Sequence, residues 1–118
     1  MKLRHFQLSE FQCPCCGALG MHDTFLERLD EARLLADIPF KINSGFRCLK
    51  HNKEVGGSDT SSHLQGLAVD IAVNNSEHRY LILTALFAVN FTRIGIGVNF
   101  IHVDDDAHKS QEVIWIYS

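Results

Sequence analysis

Leu67–Val73 is an apolar, β-branched run with one carboxylate, Asp70, set in its middle between Val69 and Ile71. Such a run reads as a largely buried strand. An unpaired buried charge costs on the order of several kcal/mol, so Asp70 must either face solvent or be met by a cation. Seven residues upstream lies His63, in Ser61-Ser62-His63-Leu64-Gln65-Gly66. Gly66 lets the chain turn so that His63 and Asp70 can face one cavity. A second apolar segment, Phe100-Ile101-His102-Val103-Asp104, carries another histidine. Strand alternation puts Phe100, His102 and Asp104 on one face and Ile101 and Val103 on the other. Two imidazoles and one carboxylate form the three-ligand set of a catalytic Zn²⁺, with the fourth position left for water. Taken singly, each of these residues is read more simply as ordinary surface or core; the combination makes them candidate metal ligands.

The rest of the chain reads as an α+β domain, a small antiparallel sheet with packed helices, over 1–118. Apolar positions Phe25, Leu26, Leu29, Ala32 and Leu35 recur at helical steps within Met21–Ala36. Pro39–Asn43 reads as a short strand, Cys48–Val55 as a short helix and Leu67–Val73 as a strand. Asn74-Asn75-Ser76 caps a helix from Glu77 to about Val89, whose face is Tyr80, Leu81, Leu83, Thr84, Leu86 and Phe87. Arg93–Gly97, Asn99–Val103 and Glu112–Tyr117 complete the sheet. The 118 residues suffice for one domain that buries roughly two-thirds of its unfolded surface. A net charge of −3 gives no basic face and argues against nucleic acid as a partner. No apolar run is long enough for membrane insertion, and nothing points beyond a monomer.

Ser44-Gly45-Phe46-Arg47 places an arginine just past a glycine turn at a strand end. There it can hold a carboxylate or an oxyanion through its planar fork. Cys13, Cys15, Cys16 and Cys48 admit a second zinc site, a disulfide pair or a set of buried thiols. The Cys-x-Cys-Cys spacing departs from that usual in structural zinc sites, which favours a thiol or disulfide role.

Ser44-Gly45-Phe46-Arg47-Cys48, His51-Asn52, Val55-Gly56-Gly57, Ser61-x-His63-x-x-Gly66-x-Ala68-x-Asp70, Gly95-Ile96-Gly97 and Phe100-Ile101-His102-Val103-Asp104 follow one another in order. Together they resemble the zinc D-alanyl-D-alanine carboxypeptidases, most closely the small phage-type members, from about Phe6 to Tyr117. The resemblance implies the fold shared with Hedgehog signalling domains. It also implies zinc held by His63, Asp70 and His102, and hydrolysis of peptidoglycan stem peptides. Arg47 would correspond to the arginine that contacts the substrate or oxyanion.

The chain departs from the family pattern at the general base. Better-known members carry an acid three residues before the last zinc histidine, where Asn99 stands here. Others carry a histidine two residues before it, where this chain has Phe100. The nearest acid, Asp104, could take the proton of the attacking water or orient His102; Asp105 and Asp106 follow in an acidic turn. The same ligands serve an endolysin-type L,D- or D,D-endopeptidase. A non-catalytic zinc-binding module, favoured by Asn99, and a phage-particle component are the readings from other classes. The N-terminus, charged but with no apolar stretch after it, does not read as a signal peptide. The expectation is therefore cytoplasmic accumulation, with action at the cell wall after lysis or particle delivery.

Overall fold

The computed structural model describes residues 2–117. In chain order the elements are α1 (Asp23–Ala36), β1 (Ile42–Ser44), α2 (Leu49–Glu54), β2 (Ala68–Ala72), α3 (Ser76–Ala88), β3 (Arg93–Ile96), β4 (Phe100–Asp104) and β5 (Val113–Ile116). Short 3-10 turns at Leu8–Phe11 and Ser62–Gln65 supplement them. The α+β class and the order of helices and strands agree with the sequence reading. The five strands form one sheet in the order β1-β2-β4-β3-β5. Its central pairings are antiparallel. The edge strand β5 instead runs parallel to β3, because the chain leaves β4 and returns through the loop 105–112 before pairing.

Period-two alternation divides the sheet into two chemically distinct faces. Val69, Ile71, Ile94, Ile101 and Val103, all fully buried, form the apolar face. They join Phe25, Leu26 and Leu29 of α1 and Ile82, Ala85 and Leu86 of α3 in one core. Burying side chains of this size contributes about 1.5–3 kcal/mol each. Two expected helix faces are rotated in the structure. Leu35 is 56% exposed while Ala36 is buried, and on α3 Tyr80 and Phe87 face outward while Ile82 and Ala85 point to the core. α3 is apolar almost all round, so its sequence alone does not single out the buried side.

Local signals start and stop these elements. The Asn75 side chain accepts the His78 amide at 2.8 Å and caps α3. α1 ends where Asp37 turns into the left-handed region. The segment before α1 is tied down by Asp30, whose carboxylate accepts the amides of Arg4 and His5 at 3.0 and 2.9 Å. Among the described residues, no helix is long and apolar enough to cross a membrane.

Candidate metal centre

The second face of the sheet carries the chemistry. Strand register aligns Ser44, Asp70, His102, Gly95 and Trp115 in one row across all five strands. Asp70 and His102 are direct cross-strand partners on β2 and β4, and His102 Nδ1 lies 2.9 Å from Asp70 Oδ1. His63 arrives from the Ser62–Gln65 turn with its Nε2 3.4 Å from the same oxygen. Gly66 makes that approach possible: its φ is +70°, and a Cβ there would run into the Gly20 carbonyl. The Ser61 hydroxyl accepts the His63 amide at 3.3 Å and fixes the start of the turn. One ligand atom from each of His63, Asp70 and His102 lies within 4.8 Å of the others.

The hydrogen-bond chemistry around these three residues calls for a cation. His63 Nδ1 is 2.8 Å from the Gly45 carbonyl, which can only accept. The ring therefore donates there and turns its Nε2 toward Asp70. His102 has an acceptor at each nitrogen, Asp70 Oδ1 at Nδ1 and Asp104 Oδ2 at 2.7 Å from Nε2. A neutral imidazole cannot donate to both, so the site requires a doubly protonated ring or a metal ion at Nδ1. Burial favours a neutral ring, yet the two carboxylates outweigh it and raise the His102 pKa. Burial likewise opposes ionisation of Asp70, and the bonds from His102 and His63 override it, holding Asp70 well below the usual carboxylate range. The three donors thus fit Zn²⁺, with His102 Nε2 turned away toward a carboxylate.

Asp104 stands against His102 Nε2 at the buried end of the site and contributes to the lining of the cavity described below. Its second oxygen accepts Arg93 Nε at 2.6 Å and the Asp106 amide at 3.2 Å, and the residue is only 2% exposed. Burial opposes its charge, but His102 and Arg93 hold its pKa below the ordinary value. The neighbouring acids are also engaged. Asp105 pairs with Arg28 of α1 at 2.9 Å, and Asp106 accepts the Ser62 hydroxyl at 2.9 Å and the His108 amide at 3.1 Å. Asn99 is exposed at the entry to β4, and its carbonyl accepts the Val73 amide.

A cavity of about 400 Å³ opens over the three ligands, lined also by Arg47, Lys109, Phe100, Trp115 and Tyr117. Arg47 is braced by Ser44 Oγ at 3.0 Å and Asn52 Oδ1 at 3.3 Å, and its Nη2 reaches Asp70 at 3.4 Å. Lys109 Nζ donates to Ser62 Oγ at 3.0 Å. The rings of Trp115 and Tyr117 stand beside His102, with centroids 5.5 and 6.5 Å away. Gly95 makes room for them, since a Cβ there would meet the Trp115 indole at 2.6 Å. Burial pushes the Tyr117 phenol above its ordinary value, so it stays protonated and can donate. Sequence reasoning named Asp104, Arg47 and the three candidate ligands as site residues but not Arg93, Lys109, Trp115 or Tyr117. Trp115 and Tyr117 gave a weak signal, because only the parallel pairing of β5 brings the last strand over His102.

No curated protein matches the chain. A family model described as Peptidase M15 matches residues 4–104. That span includes Arg47, His63, Asp70, His102 and Asp104, and ends just before the loop that carries Lys109. Members of this family are zinc-dependent, and the donor set described above suits that ion. With most of its length matched and a zinc-compatible triad on its polar sheet face, the chain belongs to the M15 family of zinc metallopeptidases.

Proposed function

We propose that this zinc peptidase acts on peptidoglycan stem peptides as a D-alanyl-D-alanine carboxypeptidase, with the ion held by His63, Asp70 and His102. The observation that supports the carboxypeptidase reading is the cationic lining of the cavity, to which Arg47 and Lys109 both contribute. Two cations beside the cleavage site suit a substrate ending in a free carboxylate. Bound zinc supplies Lewis acidity and an acidified water at neutral pH. Arg47, already held by Ser44 and Asn52, stabilises the charge that develops on the scissile carbonyl oxygen. Tyr117 offers a phenolic proton to the same cavity, and Trp115 and Phe100 exclude water from its wall.

Asp104 serves here as a positioning residue. It accepts from His102 Nε2, fixes the tautomer that leaves Nδ1 free, and is neutralised by Arg93. With both oxygens occupied and almost no exposure, it is poorly placed to take a proton from water.

Digestion of purified peptidoglycan and of defined muropeptides, with and without a zinc chelator, tests the reading by the mass of the soluble products. Chelator-sensitive release of D-alanine is the expected result. Release of larger peptides would make the protein an endopeptidase. No product from zinc-loaded protein would make it a non-catalytic zinc module.

A further inference from the structure

Apart from the ligand row, the fold gathers four thiols that the peptidase chemistry does not use. Cys13, Cys15 and Cys16 lie in the segment before α1, and Cys48 caps α2. One sulfur from each lies within 4.8 Å of the other three. Cys13 Sγ stands 3.6 Å from both Cys15 Sγ and Cys48 Sγ, and the last two are 3.2 Å apart. Four thiolates around Zn²⁺ at about 2.3 Å in a tetrahedron would stand about 3.8 Å from one another. The cluster is near that size before any ion draws it together.

The backbone is shaped for the same purpose. Cys13 and Cys16 stand in a Cys-x-x-Cys arrangement, a usual structural-zinc spacing that the intervening Cys15 obscures in the sequence. The Cys13 amide bonds the Ala18 carbonyl at 2.9 Å, the Gly17 amide bonds the Cys13 carbonyl at 2.8 Å, and Gly17 has φ +73°. This turn wraps the three sulfurs round one centre. Two further amides aim at sulfur: Cys48 N–H at Cys13 Sγ, 3.5 Å, and His51 N–H at Cys48 Sγ, 3.4 Å. Such donors stabilise thiolates. Cys13 is buried while Cys15 and Cys16 are exposed, so an ion can enter from solvent. All four cysteines are free thiols in the structure.

We propose that Cys13, Cys15, Cys16 and Cys48 bind a second Zn²⁺ in a closed tetrathiolate site whose role is structural. Four protein ligands leave no open position for substrate. The ion fastens the N-terminal segment to Cys48, one residue beyond Arg47. The Phe46 amide, bonded to the Phe11 carbonyl at 2.9 Å, runs alongside the same link. That loop also carries the Gly45 carbonyl that sets the His63 tautomer. The second ion therefore braces the loop from which the peptidase centre is positioned.

Metal analysis of the full chain, purified under reducing conditions, tests this independently of activity. Two zinc ions per chain are expected in the wild type. One is expected in Cys15→Ser, in Cys16→Ser and in His63→Ala, and none when a cysteine and a histidine change are combined. Cys15 and Cys16 are exposed, so their serine variants keep the core, which circular dichroism checks. Cobalt provides the second readout. Co²⁺-loaded His63→Ala should keep the thiolate-to-cobalt charge-transfer absorption, and Co²⁺-loaded Cys16→Ser should lose it. One zinc in the wild type that survives both cysteine changes would overturn the proposal. So would iron in place of zinc, or a disulfide among the four cysteines found by peptide mapping of the reduced preparation.

Discussion

His63 and His102 each stand between two hydrogen-bond acceptors, and this decides what substitutions do at the scale of the residue. Removing either imidazole leaves too few ligands. His63→Ala and His102→Ala are expected to lose the zinc of this centre together with turnover; normal metal content in the Asp70 site of either variant would refute the ligand set. Arg47 touches Asp70 at 3.4 Å but is not a candidate ligand. Arg47→Ala is expected to retain zinc and lower kcat roughly 10²–10³-fold, the usual cost of removing a charge-stabilising donor. Asp104→Asn separates positioning from proton transfer. As a positioning residue it should weaken zinc binding about 10–100-fold, with activity recovered at saturating zinc. An activity loss that no zinc concentration restores would instead make Asp104 the proton acceptor. Asp70 and His102 stood out because polar residues inside apolar strands demand a partner, and His63 was singled out only by its spacing to Asp70 across Gly66 and by the family resemblance. Arg93 was not, because its use depends on a buried carboxylate eleven residues away in sequence whose orientation only the folded register fixes.

At the scale of the element, period and caps carried most of the information. α1, α2, α3 and all five strands fall where alternation, helical spacing and Asn75 put them, with ends shifted by a few residues. The buried face of α3 was not legible. Its run Tyr80–Ala88 is nearly all apolar, so contact with α1 and the sheet, not periodicity, chooses Ile82, Ala85 and Leu86. The direction of β5 escaped for a similar reason: alternation is identical in parallel and antiparallel strands, and only the path of the loop 105–112 sets it. Gly66 was legible as a turn residue, and the structure gives it a second duty in its contact with Gly20. Gly66→Ala is therefore expected to cost about 1–2 kcal/mol from its left-handed backbone alone, with more from the contact. The melting temperature should drop by roughly 5 °C or more, and zinc affinity should fall with it as His63 moves. An unchanged melting curve would show that the turn tolerates a side chain and that the approach of His63 does not depend on Gly66.

For the whole molecule, the polar row that could hold a metal ion also sets how stability depends on pH. In the metal-free protein, protonated His102 bridges the carboxylates of Asp70 and Asp104. Its folded pKa is raised, so its contribution is complete below the unfolded value of about 6.5 and is lost as pH rises through the folded value. Asp70 and Asp104 have lowered folded pKa values. Their contributions are present above about 3.9 and are lost as pH falls through the folded values. Stability of the metal-free chain should therefore be greatest between these limits and should decline on the alkaline side, where His102 loses the proton that joins the two acids. Zinc takes the place of that proton, so the zinc-loaded protein should not share the His102 part of the decline. The cysteines also titrate on the alkaline side, so the comparison needs a variant that isolates the imidazole. Thermal melts of metal-free wild type and metal-free His102→Gln across the neutral to alkaline range provide it. The wild type should lose stability more steeply than the variant as pH rises above about 6.5. Parallel curves would mean that His102 is neutral in the metal-free fold. In that case the two acceptors around its ring would have to be reconciled by movement of Asp70 or Asp104 rather than by a proton.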